Sequence, residues 1–146
     1  MTKEKFIGTW RLIGTRLEDS EGNKTEFLGP NATGLIIYTE QGYMSAHCTV
    51  PNPPDKATYC EPFLGKLTPE ELAAIPIPSI KSFSYGGKYE IESDTAIHHA
   101  EFSSEPYLTG TLPRLFEFTG NQLTLSQFFP HIPNKQVKMY LVWERV

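Results

Sequence analysis

Apolar and polar residues alternate in short runs along most of this chain, and turn-forming residues separate the runs. Alternation with a period of two is the mark of a strand with one face buried. It predicts strands over residues 6–17, 24–28, 34–39, 43–50, 82–92, 95–103, 111–118, 122–129 and 136–146. Asp19-Ser20-Glu21-Gly22-Asn23, Glu40-Gln41-Gly42, Ser93-Asp94 and Thr119-Gly120-Asn121 are the turn clusters between successive strands. Tight turns imply an all-β, up-and-down antiparallel meander. A sheet of eight or nine strands tends to close on itself, which removes its open edges. Such a barrel has interior enough for side chains or for one small ligand.

One stretch, residues 51–80, interrupts the meander. It contains Pro51, Pro53, Pro54, Pro76 and Pro78. Thr68-Pro69-Glu70-Glu71 is a capping box with proline in the first helical turn. It predicts one short helix through Ile75, which must stop by Pro76. The insert is expected either to lie across one barrel mouth as a lid or to form a plain surface loop.

Face assignments follow from the alternation. If Trp10 points inward, so do Leu12, Gly14 and Arg16. In strand 82–92 the set Phe83, Tyr85, Gly87, Tyr89, Ile91 is the more apolar and is assigned to the lumen. In 95–103 the inward set is Ala96, His98, Ala100 and Phe102. Arg114 shares a face with Phe116 and Phe118, Gln127 with Leu123 and Leu125, and Met139 with Val137, Leu141, Trp143 and Arg145. Strand 43–50 is ambiguous: apolarity favours Met44, Ala46 and Cys48 inward, whereas a polar lumen favours Tyr43, Ser45 and His47. The candidate ligand-binding residues are Tyr43, Tyr85, Tyr89, Phe102, Phe116, Gln127 and Met139.

Composition narrows the function. The 146 residues suit one domain, 1–146, with its own core. The 18 aromatics, 9 Phe, 7 Tyr and 2 Trp, supply pocket walls. A net charge of −4 without a basic run argues against nucleic acid. The polar N-terminus and the lack of a long apolar stretch predict a cytoplasmic protein with no membrane partner. Cys48 and Cys60 have no metal or redox spacing and are expected as free thiols. His98 and His99 are adjacent, so in a strand they face opposite sides and cannot share a metal, and His47 and His131 add no ligand spacing. Neither a phosphate-binding glycine loop nor a nucleophile elbow is present. No cofactor is implied.

Gly8-Thr9-Trp10 resembles the N-terminal signature of lipocalins, in which the tryptophan closes the barrel floor under a late arginine. That resemblance assigns the floor to Trp10 and the covering cation to Arg145. Ala32-Thr33-Gly34-Leu35-Ile36-Ile37-Tyr38, Gly42-Tyr43-Met44-Ser45-Ala46, His98-His99-Ala100-Glu101, Pro106 with Gly110, Arg114, Leu123-Thr124-Leu125 and Leu141-Val142-Trp143-Glu144-Arg145 extend the likeness to the bacterial and fungal lipocalin-like domain family. The resemblance implies a calycin-type barrel and leaves the chemistry open. The Pro-rich insert and Gln127-Phe128-Phe129-Pro130-His131 depart from the family pattern.

Three functions fit. The first is a carrier or sequestering protein for a small apolar or amphipathic molecule. The second is a cofactor-free isomerase or cyclase of natural-product biosynthesis, with His98 as acid/base and Arg114 stabilising negative charge; some family members lie beside such biosynthetic genes. The third is a structural module whose lumen is filled by side chains. His98 also reads as a hydrogen-bonded core residue, and Arg114 as a bridge between strands. The expected partner is a small molecule, with the protein a monomer or homodimer.

Overall fold

The computed structural model describes residues 2–75, 82–106, 108–129 and 135–146. The end of the insert, residues 76–80, and His131 lie outside the described residues. A short helix, α1 (Thr2–Phe6), leads into β1 (Gly8–Asp19), β2 (Lys24–Thr25), β3 (Thr33–Tyr38) and β4 (Tyr43–Thr49). Two helices follow, α2 (Lys56–Leu64) and α3 (Pro69–Ala74). The chain then continues through β5 (Ser82–Glu92), β6 (Thr95–Ser103), β7 (Gly110–Thr119), β8 (Gln122–Phe129) and β9 (Val137–Arg145).

All pairings are antiparallel, and each of the strands from β3 to β9 pairs with its neighbour in sequence. β1 pairs with both β3 and β9, so eight strands form a closed barrel. β2 is an extra strand on β1, with Leu17 opposite Thr25. It is shorter than the alternation predicts.

Two irregularities change which residues face inward. The β1–β9 register shifts between Leu12 and Gly14. Before the shift Trp10 and Leu12 are buried; after it Leu17 and Asp19 are buried, and Ile13 is 47% exposed. Arg16 therefore faces outward, where its guanidinium stacks over Tyr140 at 4.0 Å and pairs with Glu18. This corrects the expectation that Gly14 and Arg16 point into the lumen: one extra residue inverts the alternation downstream of it. A second shift, in β5–β6, pairs Gly86 with Phe102 and Gly87 with Ala100, leaving Glu101 as the additional residue. Gly87 has φ +156°, and a Cβ there would sit 2.0 Å from the His99 carbonyl oxygen. The backbones approach so closely that no other residue fits.

The floor of the barrel is aromatic. α1 places Phe6, wholly buried, against Tyr38, Phe116 and Phe118, with ring centres 4.9–5.1 Å apart and edges to faces. Each such pair contributes about 0.5–1.5 kcal/mol beyond its buried area. The Trp10 indole N–H donates to the Phe6 carbonyl at 2.8 Å. The Arg145 guanidinium lies 4.1 Å from the Trp10 ring centre and donates to the carbonyls of Ile7 and Lys5. Phe6, expected as the start of the first strand, instead ends a helix that inserts into the floor.

At the opposite end, Tyr59, Cys60 and Phe63 of α2, with Ile75 beyond α3, are buried against Leu17, Phe27, Leu28, Val50 and Val137. The insert thus contains two helices in place of the single one expected. Asp55 caps α2 by accepting from the Thr58 N–H at 2.8 Å. α3 begins with the predicted capping box, Thr68 and Glu71 bonding reciprocally. Lys56 ties the helices together by donating to the carbonyls of Leu72 and Ile75 at 2.9 and 2.7 Å. At the same rim Asp19 accepts from the backbone N–H groups of Glu21 and Asn23, the Asn23 side chain and Lys135. The Asn23 amide is the largest influence holding the Asp19 carboxyl below its ordinary pKa, and burial works against it.

Candidate ligand site in the barrel lumen

Between the two plugs the inner wall carries a small set of polar groups. β4 presents Met44, Ala46 and Cys48 inward, all buried. Tyr43, expected to line the pocket, is therefore on the outer face, 46% exposed. Phe102, also expected in the pocket, lies outside it for a different reason. The shift in β5–β6 turns it outward, 62% exposed, with its ring against Gly86, where a Cβ would meet Phe102 Cζ at 2.7 Å.

The remaining candidates share the inner face. Tyr85, Tyr89 and His98 are buried on β5 and β6. Arg114 and Phe116 are half-buried on β7, Gln127 on β8 and Met139 on β9. Leu115 pairs with Ser126, and one further step in that register sets Arg114 opposite Gln127, which pairs with Met139.

His98 is the centre of a hydrogen-bonded string. Tyr38 Oη lies 2.7 Å from its Nε2 and Tyr85 Oη lies 2.8 Å from its Nδ1. His98 is wholly buried, and burial, followed by the positive charge of Arg114, pushes its pKa down to about 3. The ring is therefore neutral at ordinary pH. Burial raises both tyrosine hydroxyls; the positive charge of the nearby Arg114 opposes this at both. Tyr89 is separate, donating to the Thr39 carbonyl at 2.8 Å. His99 lies on the outer face, 2.7 Å from Glu90.

Three features of the wall are incomplete. Arg114 donates to the Pro113 carbonyl at 3.1 Å, yet it has no carboxylate partner among the described residues. Among the described residues Gln127 Oε1 and Trp143 Nε1 are buried without a hydrogen-bond partner. Unpaired buried polar atoms are uncommon because each forfeits its hydration without return. A charged guanidinium, an acceptor and a donor on the inner wall of an aromatic barrel are groups that can hydrogen-bond the polar end of an otherwise apolar small molecule.

Tyr38 was not a candidate from sequence. In β3, Ile36 and Tyr38 oppose Leu35 and Ile37, so both faces look apolar; Leu35 and Ile37 are each 37% exposed, on the outside. The cysteines lack the setting of a nucleophile. Both are free and buried, and burial pushes the Cys48 thiol up to about 12. Among the described residues no cluster of three His, Cys, Asp or Glu side chains could hold a metal ion, and no helix is long and apolar enough to cross a membrane.

Residues 7–146 match the family model described as a lipocalin-like domain. Among solved structures the chain resembles a lipocalin-like protein from Bacteroides uniformis, at 12% identity over 97% of this chain and 99% of that one, with a TM-score of 0.47. It also resembles the fluorescent protein UnaG, at 10% identity over 98% of both chains, with a TM-score of 0.43. No curated protein matches the chain.

Proposed function

The chain belongs to the lipocalin-like domain family, and from that premise we propose that its barrel binds one small amphipathic molecule in the lumen, apolar body against the aromatic walls and anionic end at Arg114. The observation that carries this reading is the inward guanidinium with no acidic partner among the described residues. An arginine cannot shed its proton, and for a half-buried one an anion is a stronger partner than the single carbonyl it has here. Gln127 Oε1 and Trp143 Nε1 add one acceptor and one donor for other parts of the ligand. They also weigh against a lumen completed by its own side chains. In this reading the protein is a carrier or sequestering protein, a monomer or homodimer, and its two free thiols suit the cytoplasm.

A second reading, a cofactor-free isomerase or cyclase, rests on His98 between two tyrosine hydroxyls. With its pKa near 3 the ring is a weak base, so a proton taken at one nitrogen must leave from the other. Turnover in wild type that is lost in His98→Gln with binding retained would favour that reading over the carrier.

Native mass spectrometry of the purified protein, followed by extraction and identification of what co-purifies, tests the binding reading. The expected result is one small molecule per chain bearing an acidic group. A protein that is empty and also fails to bind an apolar fluorescent probe contradicts it.

A further inference from the structure

The string through His98 has a hydrogen to spare. A neutral imidazole carries one N–H and one bare nitrogen. With two tyrosine hydroxyls the group holds three donor hydrogens, while its two internal contacts, at 2.7 and 2.8 Å, use two of them. One tyrosine O–H is left over, and the ring tautomer decides which.

With the ring proton on Nε2, the spare hydrogen belongs to Tyr38. That residue is 1% exposed and its ring is packed against those of Phe6 and Tyr89. Among the described residues its hydroxyl has no partner other than His98. This arrangement buries a donor with nothing to accept it, which is disfavoured. With the ring proton on Nδ1, Tyr38 donates to Nε2 and Nδ1–H donates to the Tyr85 oxygen. The spare hydrogen is then that of Tyr85, which likewise meets no acceptor among the described residues but sits on the inner wall beside the half-buried Arg114 rather than packed between the rings of Phe6 and Tyr89. A phenolic oxygen can accept from both Nδ1–H and the guanidinium while its own hydrogen turns elsewhere.

We propose that Tyr38 and His98 fix the Tyr85 hydroxyl as a second donor next to Arg114, so that the lumen takes a ligand oxyanion, such as a carboxylate, enolate or sulfonate, between the guanidinium and the Tyr85 O–H. The proposal rests on the lumen-binding reading above and names the chemistry of its polar end. Tyr85 and Arg114 are binding residues; Tyr38 and His98 are positioning residues. Two preset donors on one oxyanion accept an ionised head group without reorganisation, and they discriminate against a neutral ligand of the same shape.

The tautomer is measurable without any ligand. In the uniformly 15N-labelled protein, a two-bond 1H–15N correlation spectrum reads which nitrogen of His98 carries the proton. The expected form is Nδ1–H, and an Nε2–H ring overturns the proposal. In Tyr38→Phe the bond at Nε2 is gone, and the expected spectrum shows both ring forms; a ring that stays fully Nδ1–H removes Tyr38 from the device. Binding is read with a matched pair of dyes, anionic 1-anilinonaphthalene-8-sulfonate and neutral N-phenyl-1-naphthylamine. Tyr85→Phe is expected to weaken the anion about tenfold, the loss of one hydrogen bond to a charged group, and to leave the amine unchanged. Equal loss for both dyes, or no loss for the anion, overturns the role of Tyr85. If neither dye binds wild type, the lumen-binding reading fails and the proposal with it, whatever the tautomer.

Discussion

The guanidinium of Arg145 lies 4.1 Å from the centre of the Trp10 ring, whose indole N–H donates to the Phe6 carbonyl. The two residues come from opposite ends of the chain and meet because β1 and β9 pair, with Trp10 opposite Arg145. Closure of the barrel and completion of its floor are therefore one event. Trp10→Ala is expected to destabilise the protein by about 3–5 kcal/mol. Arg145→Leu, which removes a cation–π contact and exposed hydrogen bonds to the Ile7 and Lys5 carbonyls, is expected to cost less, about 1–2 kcal/mol. Urea denaturation of both variants checks the ordering, and equal losses would show that the tryptophan is not a core residue.

Acid should weaken the fold before its carboxylates titrate. His98 has a pKa of about 3 in the folded state, against 6.5 for a free histidine. The unfolded chain therefore binds a proton that the folded chain refuses. The stability contributed by neutral His98 is complete above pH 6.5 and falls as pH drops toward 3, by up to about 1.4 kcal/mol per pH unit. Urea midpoints measured from pH 7 to pH 5 should decline in wild type and lose most of that slope in His98→Gln. A parallel decline in the variant would assign the slope to other groups.

Gly87 is expected to tolerate no side chain. Its backbone is in a region open to glycine, and a Cβ would run into the neighbouring strand at the His99 carbonyl. Gly87→Ala should destabilise by about 1–3 kcal/mol, and circular dichroism during thermal unfolding reads the loss. An unchanged melting temperature would mean that β5 and β6 can separate there at no cost.

The barrel was legible because turn residues interrupt a strict alternation, and β5, β6 and β8 match their expected limits. What stayed hidden is what breaks the pattern. The register shifts at Ile13 and Glu101 invert the alternation and so misplaced Arg16 and Phe102; Gly14, beside the first, is the one residue on a bulged strand that hinted at it. The helix α2 carries Pro62 in its interior, and its apolar face, Tyr59, Cys60, Phe63 and Leu64, is too short to stand out in the proline-rich insert. Its one signal was Asp55 ahead of the run, a cap that turns also favour. At the site, His98, Arg114, Tyr85 and Gln127 stand out as polar residues on apolar faces. Tyr38 does not, because both faces of β3 are apolar and pairing across the barrel decides which one turns inward.

The central claim is that the lumen recognises an anion through Arg114. The direct test is fluorescence titration of wild type and Arg114→Gln with 1-anilinonaphthalene-8-sulfonate and with N-phenyl-1-naphthylamine, equal in ring system and different in charge. Wild type is expected to prefer the sulfonate, and Arg114→Gln to lose that preference, about tenfold or more, while binding the neutral amine as before. A preference that survives the loss of Arg114, or a wild-type protein that favours the neutral dye, would contradict the account.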